Sequence, residues 1–393
     1  MQLLKMKKND FVNAGVFFFS FLAITLLLLQ ALSSFSNTLL LYMGVILVGA
    51  FFAAWAQVVP ERRISSILLL IAFFGVFFVF AFRDATAIDD KSYLRMFNNV
   101  RQNGVIGYYN GGGGVEIGYI ALLWLIGLFS DEYVAVQIVT AIVPFLLFYI
   151  SFLKLKKEIS WFVSFYLFCT CFYFQMLAVN LSRMFIAVSI IVFAINYLLK
   201  DKKKAFCICV LIAALFHISS LFLLILLFFS GTVNRIEKRR WLLYFGSIAV
   251  LLIISLLIVP LMSDRYDIYS NIKFDSNSIF SHLTRIPLVL LFAFFEQYVR
   301  DETAKKKIKM MHYVFIFAVF IDLSGLLISF GRLVFFFDMF FVFGISMLYK
   351  KIGRIPQILM LAILCFYGGL YVYVTQFTTH MANLFPYNNI CFI

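Results

Sequence analysis

Lysine and arginine occur in this chain mostly as short bursts between long apolar runs, and that spacing admits few folds. Of 33 cationic residues, 24 fall in seven clusters, at positions 5–8, 62–63, 154–157, 200–204, 235–240, 300–309 and 350–354. Apolar runs of roughly 20 residues are long enough, as helices, to cross a hydrocarbon layer about 30 Å thick. Cations gathered in the loops between such runs mark the cytoplasmic side of a multi-pass membrane protein. The composition agrees: 64% hydrophobic residues, 13% charged residues and a mean hydropathy of +0.99 exclude an ordinary soluble domain. The net charge of +14 therefore orients the chain in a bilayer, and no nucleic-acid partner is expected.

The expected fold is an all-α polytopic membrane protein, one membrane domain over residues 1–393. Eleven crossings are predicted, at about 11–32, 38–58, 64–82, 133–153, 159–178, 184–199, 241–260, 285–300, 312–330, 333–349 and 357–375. They start inside and finish outside, which puts every cationic cluster and the N-terminus in the cytoplasm. The first run follows a Lys-rich start, as a signal peptide would, but it is long and more spans follow, so it reads as an uncleaved helix. Two segments do not fit as crossings. Residues 116–130 are too few, and predict a partial helix on the outer side. Residues 205–230 have cations at both ends, and predict a hairpin of two short helices broken near His217. Such backbone is tolerated at membrane depth only beside protein or a water-filled cavity, so both point to a cavity.

Two loops are expected outside, 83–115 and 261–284. In the first, Asp89 or Asp90 is expected to cap a short interfacial helix whose Tyr93, Met96, Phe97 and Val100 share an apolar face. The glycine run at 111–114 follows no strand and reads as a flexible hinge, not a phosphate loop. Six cysteines give no disulfide framework and no metal site. Cys169/Cys171 and Cys207/Cys209 are two apart, so each pair points about 200° apart around its helix. No metal and no cofactor is expected.

Nine cations lie outside the clusters: Arg83, Lys91, Arg95, Arg101, Arg183, Arg265, Lys273, Arg285 and Arg332. Arg183 and Arg332 each lie in a tight outer turn, and Arg83 ends the third span on the same face. A lone arginine there would snorkel to head groups. Three at one depth suit the paired-donor grip of a guanidinium on phosphate oxygens. His217, at the predicted break with Ser219 and Ser220, fits a phosphate donor or proton carrier. Asp84, Asp89, Asp90 and Glu116 surround the first outer loop. Their choices are helix capping, pairing with nearby cations, or taking a proton from a sugar hydroxyl. Asp322 and Asp338 lie within apolar spans, where an ionisable group is costly and a functional candidate by default; for Asp338, pairing with a basic residue of a neighbouring helix as a brace is expected.

The order of these elements resembles the EpsG/Wzy-type polysaccharide polymerases of bacterial membranes. The resemblance covers most of residues 64–350. It is carried by Phe82-Arg83-Asp84, Asp89/Asp90 with Ser92-Tyr93, Glu116-Ile117-Gly118-Tyr119, Asn180-Leu181-Ser182-Arg183 with Ala187, Phe216-His217-Ile218-Ser219-Ser220, and Gly331-Arg332. The chain departs from the expected pattern at Ala87 and Met184, where Gly and Gln are anticipated, and neither changes a charge. The resemblance implies a metal-independent, GT-C-like glycosyltransferase in the bacterial cytoplasmic (inner) membrane. Such a polymerase joins oligosaccharide repeat units carried on undecaprenyl pyrophosphate, transferring the growing chain en bloc on the outer face, with a chain-length regulator protein as a further partner. It implies that Arg83, Arg183, Arg332, Tyr93 and Ser219 engage the pyrophosphate or substrate, and that His217 with Asp84, Asp89, Asp90 or Glu116 serves the chemistry. An O-antigen ligase-like transferase would use the same cations with a different acceptor. A transporter or flippase of lipid-linked oligosaccharides would need ionisable groups through the membrane depth, for which Asp322, Asp338 and Glu296 are the candidates.

Overall fold

The computed structural model describes residues 37–83, 89–173, 181–229, 283–324 and 333–372, and among these every regular element is helical. The N-terminal half comprises α1 (Asn37–Val58), α2 (Arg62–Ala81), α3 (Asp90–Asn110), α4 (Ile117–Gly127), α5 (Tyr133–Leu155) and α6 (Trp161–Leu167), the last running into a π-helical turn over Phe168–Tyr173. Then come α7 (Ser182–Leu198), α8 (Lys203–Ala214), a 3₁₀ segment (Ile218–Ile225) and α9 (Leu226–Phe229). The C-terminal group is α10 (Ile286–Glu296), α11 (Glu302–Ser324), α12 (Val334–Lys351) and α13 (Arg354–Val372). The crossings expected at 11–32 and 241–260, and residues 261–282 of the loop expected at 261–284, lie outside the described residues.

Helix α7 and helix α12 are buried on nearly every face, as expected of helices apolar all round. They form the centre. Helix α5 packs on α2 and α7, α1 packs on α2 and α6, and α11 packs on α12. Among the described residues, α2, α5 and α13 are long and apolar enough to cross a membrane. Helix α10 is not. Its 11 residues span about 16 Å, although hydropathy alone predicts a full crossing at 285–300. Pro287 fixes its start, and the turn at Gln297 and Tyr298 ends it. Helix α11 begins ten residues before the predicted 312, because Asp301 caps it. Asp301 Oδ1 accepts from the Thr303 N–H at 3.0 Å, the Thr303 hydroxyl at 2.6 Å and the Ala304 N–H at 3.3 Å.

Five cationic clusters converge on one end of this bundle. Lys156 Nζ donates to Ser65 Oγ at 2.8 Å, beside the 62–63 cluster. Lys350 Nζ donates to the Lys156 carbonyl at 2.6 Å, and Lys307 pairs with Glu158 at 2.9 Å. Lys154 lies within electrostatic reach of Lys200. The sequence pattern thus corresponds to a physical face, with Arg83 and Arg183 at the far ends of α2 and α7.

The loop expected at 83–115 is more ordered than predicted. Most of it is the 21-residue α3, kinked at Gly104 (φ 68°). Tyr93, Phe97 and Val100 are buried on its inner face and Met96 packs against them, as the spacing predicts. Capping differs from the expectation. Asp89 occupies the N-cap position without a side-chain capping bond, and Asp90 turns inward to a cation. The glycine run forms a packed turn in place of a hinge. The Gly113 N–H donates to the Tyr108 carbonyl at 3.0 Å, and a Cβ on Gly113 would overlap the Tyr108 ring.

Both anomalous segments behave as expected in outline. Residues 116–130 contain the short α4. Residues 205–230 break at 215–217 and fold back, with Ser220 Oγ 3.5 Å from the Val210 carbonyl. The returning leg is 3₁₀ over Ile218–Ile225 and continues as the short α9.

Candidate functional site

Glu116 precedes α4, where its backbone is extended and its carboxylate faces the break between α8 and the 3₁₀ segment. One oxygen, Oε2, accepts from Arg183 Nη1, at the start of α7. The other, Oε1, accepts from the Ile218 backbone N–H at 3.2 Å. His217 Nδ1 lies 3.3 Å from that same oxygen. The His217 ring in turn stacks on Phe336 of α12, with centroids 6.1 Å apart. A single carboxylate therefore gathers three segments that are far apart in the chain.

Gly118 makes this approach possible. Its N–H donates to the Leu215 carbonyl at 2.8 Å, and a Cβ there would lie 2.6 Å from that oxygen. Only a residue without a side chain lets α4 sit against the broken backbone. That oxygen and the Ile218 N–H are among the groups that a helix interruption frees, and both find partners in the segment that starts α4.

The Tyr93 hydroxyl of α3 lies within electrostatic reach of the same cation. Burial raises the Tyr93 phenol above its ordinary value, against the opposing pull of Arg183. Glu116 moves the other way. Burial would raise its carboxyl, but the pull of His217 and the charge of Arg183 prevail and hold it at about 2. The side chains of Glu116, Arg183 and His217 are 16%, 27% and 20% exposed, so the cluster is sheltered yet open to an incoming anion. Arg183 Nε and the Tyr119 hydroxyl are buried without a hydrogen-bond partner among the described residues.

A model of the EpsG family matches residues 66–389, which span all of this geometry. The chain belongs to the EpsG family. It thereby stands among membrane proteins of polysaccharide biosynthesis. No curated protein and no solved structure matches it.

In this EpsG-family chain Arg83 is placed differently from Arg183. It is 5% exposed and pairs with the fully buried Asp90 at 3.2 Å. Asp90 also accepts from the Tyr133 hydroxyl at 3.0 Å, and Gln137 Nε2 donates to the Arg83 carbonyl at 3.1 Å. This network ties the C-terminal end of α2 to the N-terminal ends of α3 and α5. Tyr119 is within electrostatic reach of both arginines, and its ring meets Tyr93 at 5.6 Å between centroids.

Of the residues singled out in the sequence, Glu116, Arg183, His217 and Tyr93 come together. Arg83 and Asp90 form the adjacent buried pair. Ser219 is half-buried next to Ile218. Asp84 and Arg332 lie outside the described residues, although the chain of Arg332 leads into α12, whose Phe336 faces His217.

The brace expected of Asp338 exists, its partner is Arg285, which hydropathy leaves unassigned, and Asp322 shares that partner. Arg285 donates from Nε and Nη2 to Asp338 at 2.7 and 2.9 Å, and from Nη1 to Asp322 at 2.8 Å. All three are buried. Glu296 also has a partner, His312 Nδ1 at 2.6 Å. In the sequence the signals for the Arg285 set are the charges within the apolar α11 and α12 and the unclustered Arg285 itself. No spacing rule points to the Glu296–His312 pair.

Proposed function

We propose that this protein polymerises oligosaccharide repeat units carried on undecaprenyl pyrophosphate, at the membrane face opposite its cationic clusters. The growing chain leaves its pyrophosphate as a bond forms between its anomeric carbon and a hydroxyl of the next lipid-linked unit. The hydroxyl proton is lost to a base, and negative charge collects on the departing pyrophosphate. The protein must therefore supply cations to the leaving group and a proton acceptor to the hydroxyl.

The observation that carries this reading is the Arg183–Glu116–His217 cluster with donors left over. Arg183 has a permanent charge and an uncommitted Nε, and the Tyr119 hydroxyl beside it is also uncommitted. Fixed donors of this kind stabilise charge as it develops. Arg332, reached through α12, is the second pyrophosphate ligand, while Arg83 supports the pocket from beneath. Glu116 holds Arg183 in place until the pyrophosphate arrives. Once Arg183 turns to the phosphate, Glu116 and His217 remain as a carboxylate–imidazole pair for the acceptor proton. Asp84 and Asp89, on the same loop, are left to contact the sugar.

The test is the glycan pattern of a deletion strain complemented with Arg183→Ala, Arg183→Lys and wild type. Single repeat units on the final acceptor, restored to long chains by wild type alone, are the expected result. A lysine keeps the charge but loses the planar fork, so it should rescue poorly. Long unattached chains would instead assign ligation, absence of outer-face glycan would assign transport, and full-length polymer from Arg183→Ala would remove Arg183 from the site.

A further inference from the structure

At the cation-rich end, between the α10–α11 turn and the α12–α13 turn, lies an open groove of about 770 Å³. Its floor is apolar and exposed. Phe294, Tyr298, Ile355 and Leu359 line it. Two cations, Arg300 and Lys351, also line it. Arg300 is exposed and makes no ion pair or hydrogen bond among the described residues. Lys351 reaches Asp301 Oδ2 at 3.5 Å, but the other oxygen of that carboxylate is engaged in capping α11. Two positive charges facing one partly engaged carboxylate leave the groove net positive.

An apolar trough with a positive rim selects an amphiphile with an anionic head. A soluble phosphate ester would leave the four apolar side chains wet. A zwitterionic lipid brings its own cation into a site that already has two. We propose that the groove binds an anionic phospholipid, with its phosphate between Arg300 and Lys351 and an acyl chain along Phe294, Tyr298, Ile355 and Leu359. Basic pockets between membrane helices on the cytoplasmic side take up such head groups by this combination of charge and apolar contact. The site is independent of the Arg183 cluster, which lies at the other end of the bundle. A lipid seated there would brace α10, the shortest helix of its group, against the α12–α13 turn.

The test uses the full chain purified in detergent, exchanged into an equimolar mixture of phosphatidylglycerol and phosphatidylcholine with identical chains. Native mass spectrometry reads the lipids retained. Wild type should keep phosphatidylglycerol in preference, by about fivefold for each engaged cation. Arg300→Gln/Lys351→Gln should lose that preference, each single variant should lose part of it, and Arg354→Gln, which alters an exposed cation not lining the groove, should keep it. Arg300 is exposed and Lys351 is partly so, which leaves the fold of these variants intact. Equal retention of the two lipids by wild type, or an undiminished preference in the double variant, would overturn the proposal. So would preferential retention of undecaprenyl phosphate when it is added in equal amount, since that would make the groove a carrier site.

Discussion

Gly118 donates its N–H to the carbonyl of Leu215 across 2.8 Å, and this contact sets how near the Glu116 carboxylate comes to His217. The glycine belongs to a tetrapeptide that in the sequence is only a family likeness. In the structure it has a steric reason. A methyl group would meet the Leu215 backbone oxygen at 2.6 Å and its Cβ at 2.8 Å. Backbone cannot rotate aside as a flexible side-chain tip can.

Gly118→Ala is therefore expected to push α4 off the 215–217 break. Overpacking of this kind costs about 1–3 kcal/mol. The variant should insert into membranes at normal levels, melt at lower temperature in detergent, and yield polymer at a small fraction of the wild-type amount. Unchanged polymer with an unchanged melting temperature would show that the approach is not needed.

Glu116→Gln isolates the carboxylate. Replacing it removes a charged partner from Arg183, at about 1–3 kcal/mol. The pH dependence follows from the direction of the shift. The carboxyl is held at about 2, below its ordinary 4.5, so its contribution is complete above pH 4.5 and is lost as pH falls toward 2. The difference in stability between wild type and Glu116→Gln should thus be constant from neutral pH down to about 4.5 and shrink below it. Thermal unfolding of the two proteins over that range is the measurement. A difference that instead grew on acidification would reverse the assignment of partners.

The split between what the sequence discloses and what it conceals has a physical cause. Helix existence, the one-sided cations, the short α4 and the break at His217 all follow from hydropathy and charge along the chain, which are local properties. The apolar face of α3 is legible for the same reason, since Tyr93, Phe97 and Val100 share one side of a helix. Partner choice is not local. Nothing in the spacing says that Asp90 turns inward to Arg83 and Tyr133, or that Arg285 rather than a clustered lysine reaches Asp322 and Asp338. The start of α11 is hidden for a different reason, because its first turns are cationic and a hydropathy scan stops where charge begins.

Arg83 and Arg183 look equivalent in the sequence, and the structure separates them. If Arg83 serves as a brace through Asp90, then Arg83→Gln alone should remove the charge paired with a buried carboxylate and cost about 3–5 kcal/mol. Arg83→Gln/Asp90→Asn, which removes both charges, should recover much of that stability and some polymer. A pyrophosphate ligand would behave otherwise, since removing Asp90 cannot restore a lost cation. Thermal melting together with glycan banding of the three proteins separates the two roles.

The Arg285 cluster makes the strongest demand on the fold. One guanidinium bridges two buried carboxylates, from α11 and α12, at the point where α10 begins. Arg285→Met removes the guanidinium that Asp338 binds through two bonds and Asp322 through one, and truncating one side of such a buried set costs about 3–5 kcal/mol. The single variant should accumulate poorly and aggregate on extraction. Arg285→Met/Asp322→Asn/Asp338→Asn removes every charge and should restore accumulation, because a buried ionic set is often replaced by neutral groups at little cost. Fluorescence size-exclusion profiles of the two proteins provide the comparison. If the triple variant folds and still makes polymer, the cluster is a brace between helices; if it folds to a monodisperse, wild-type profile and makes none, Arg285 or its carboxylates take part in the reaction itself.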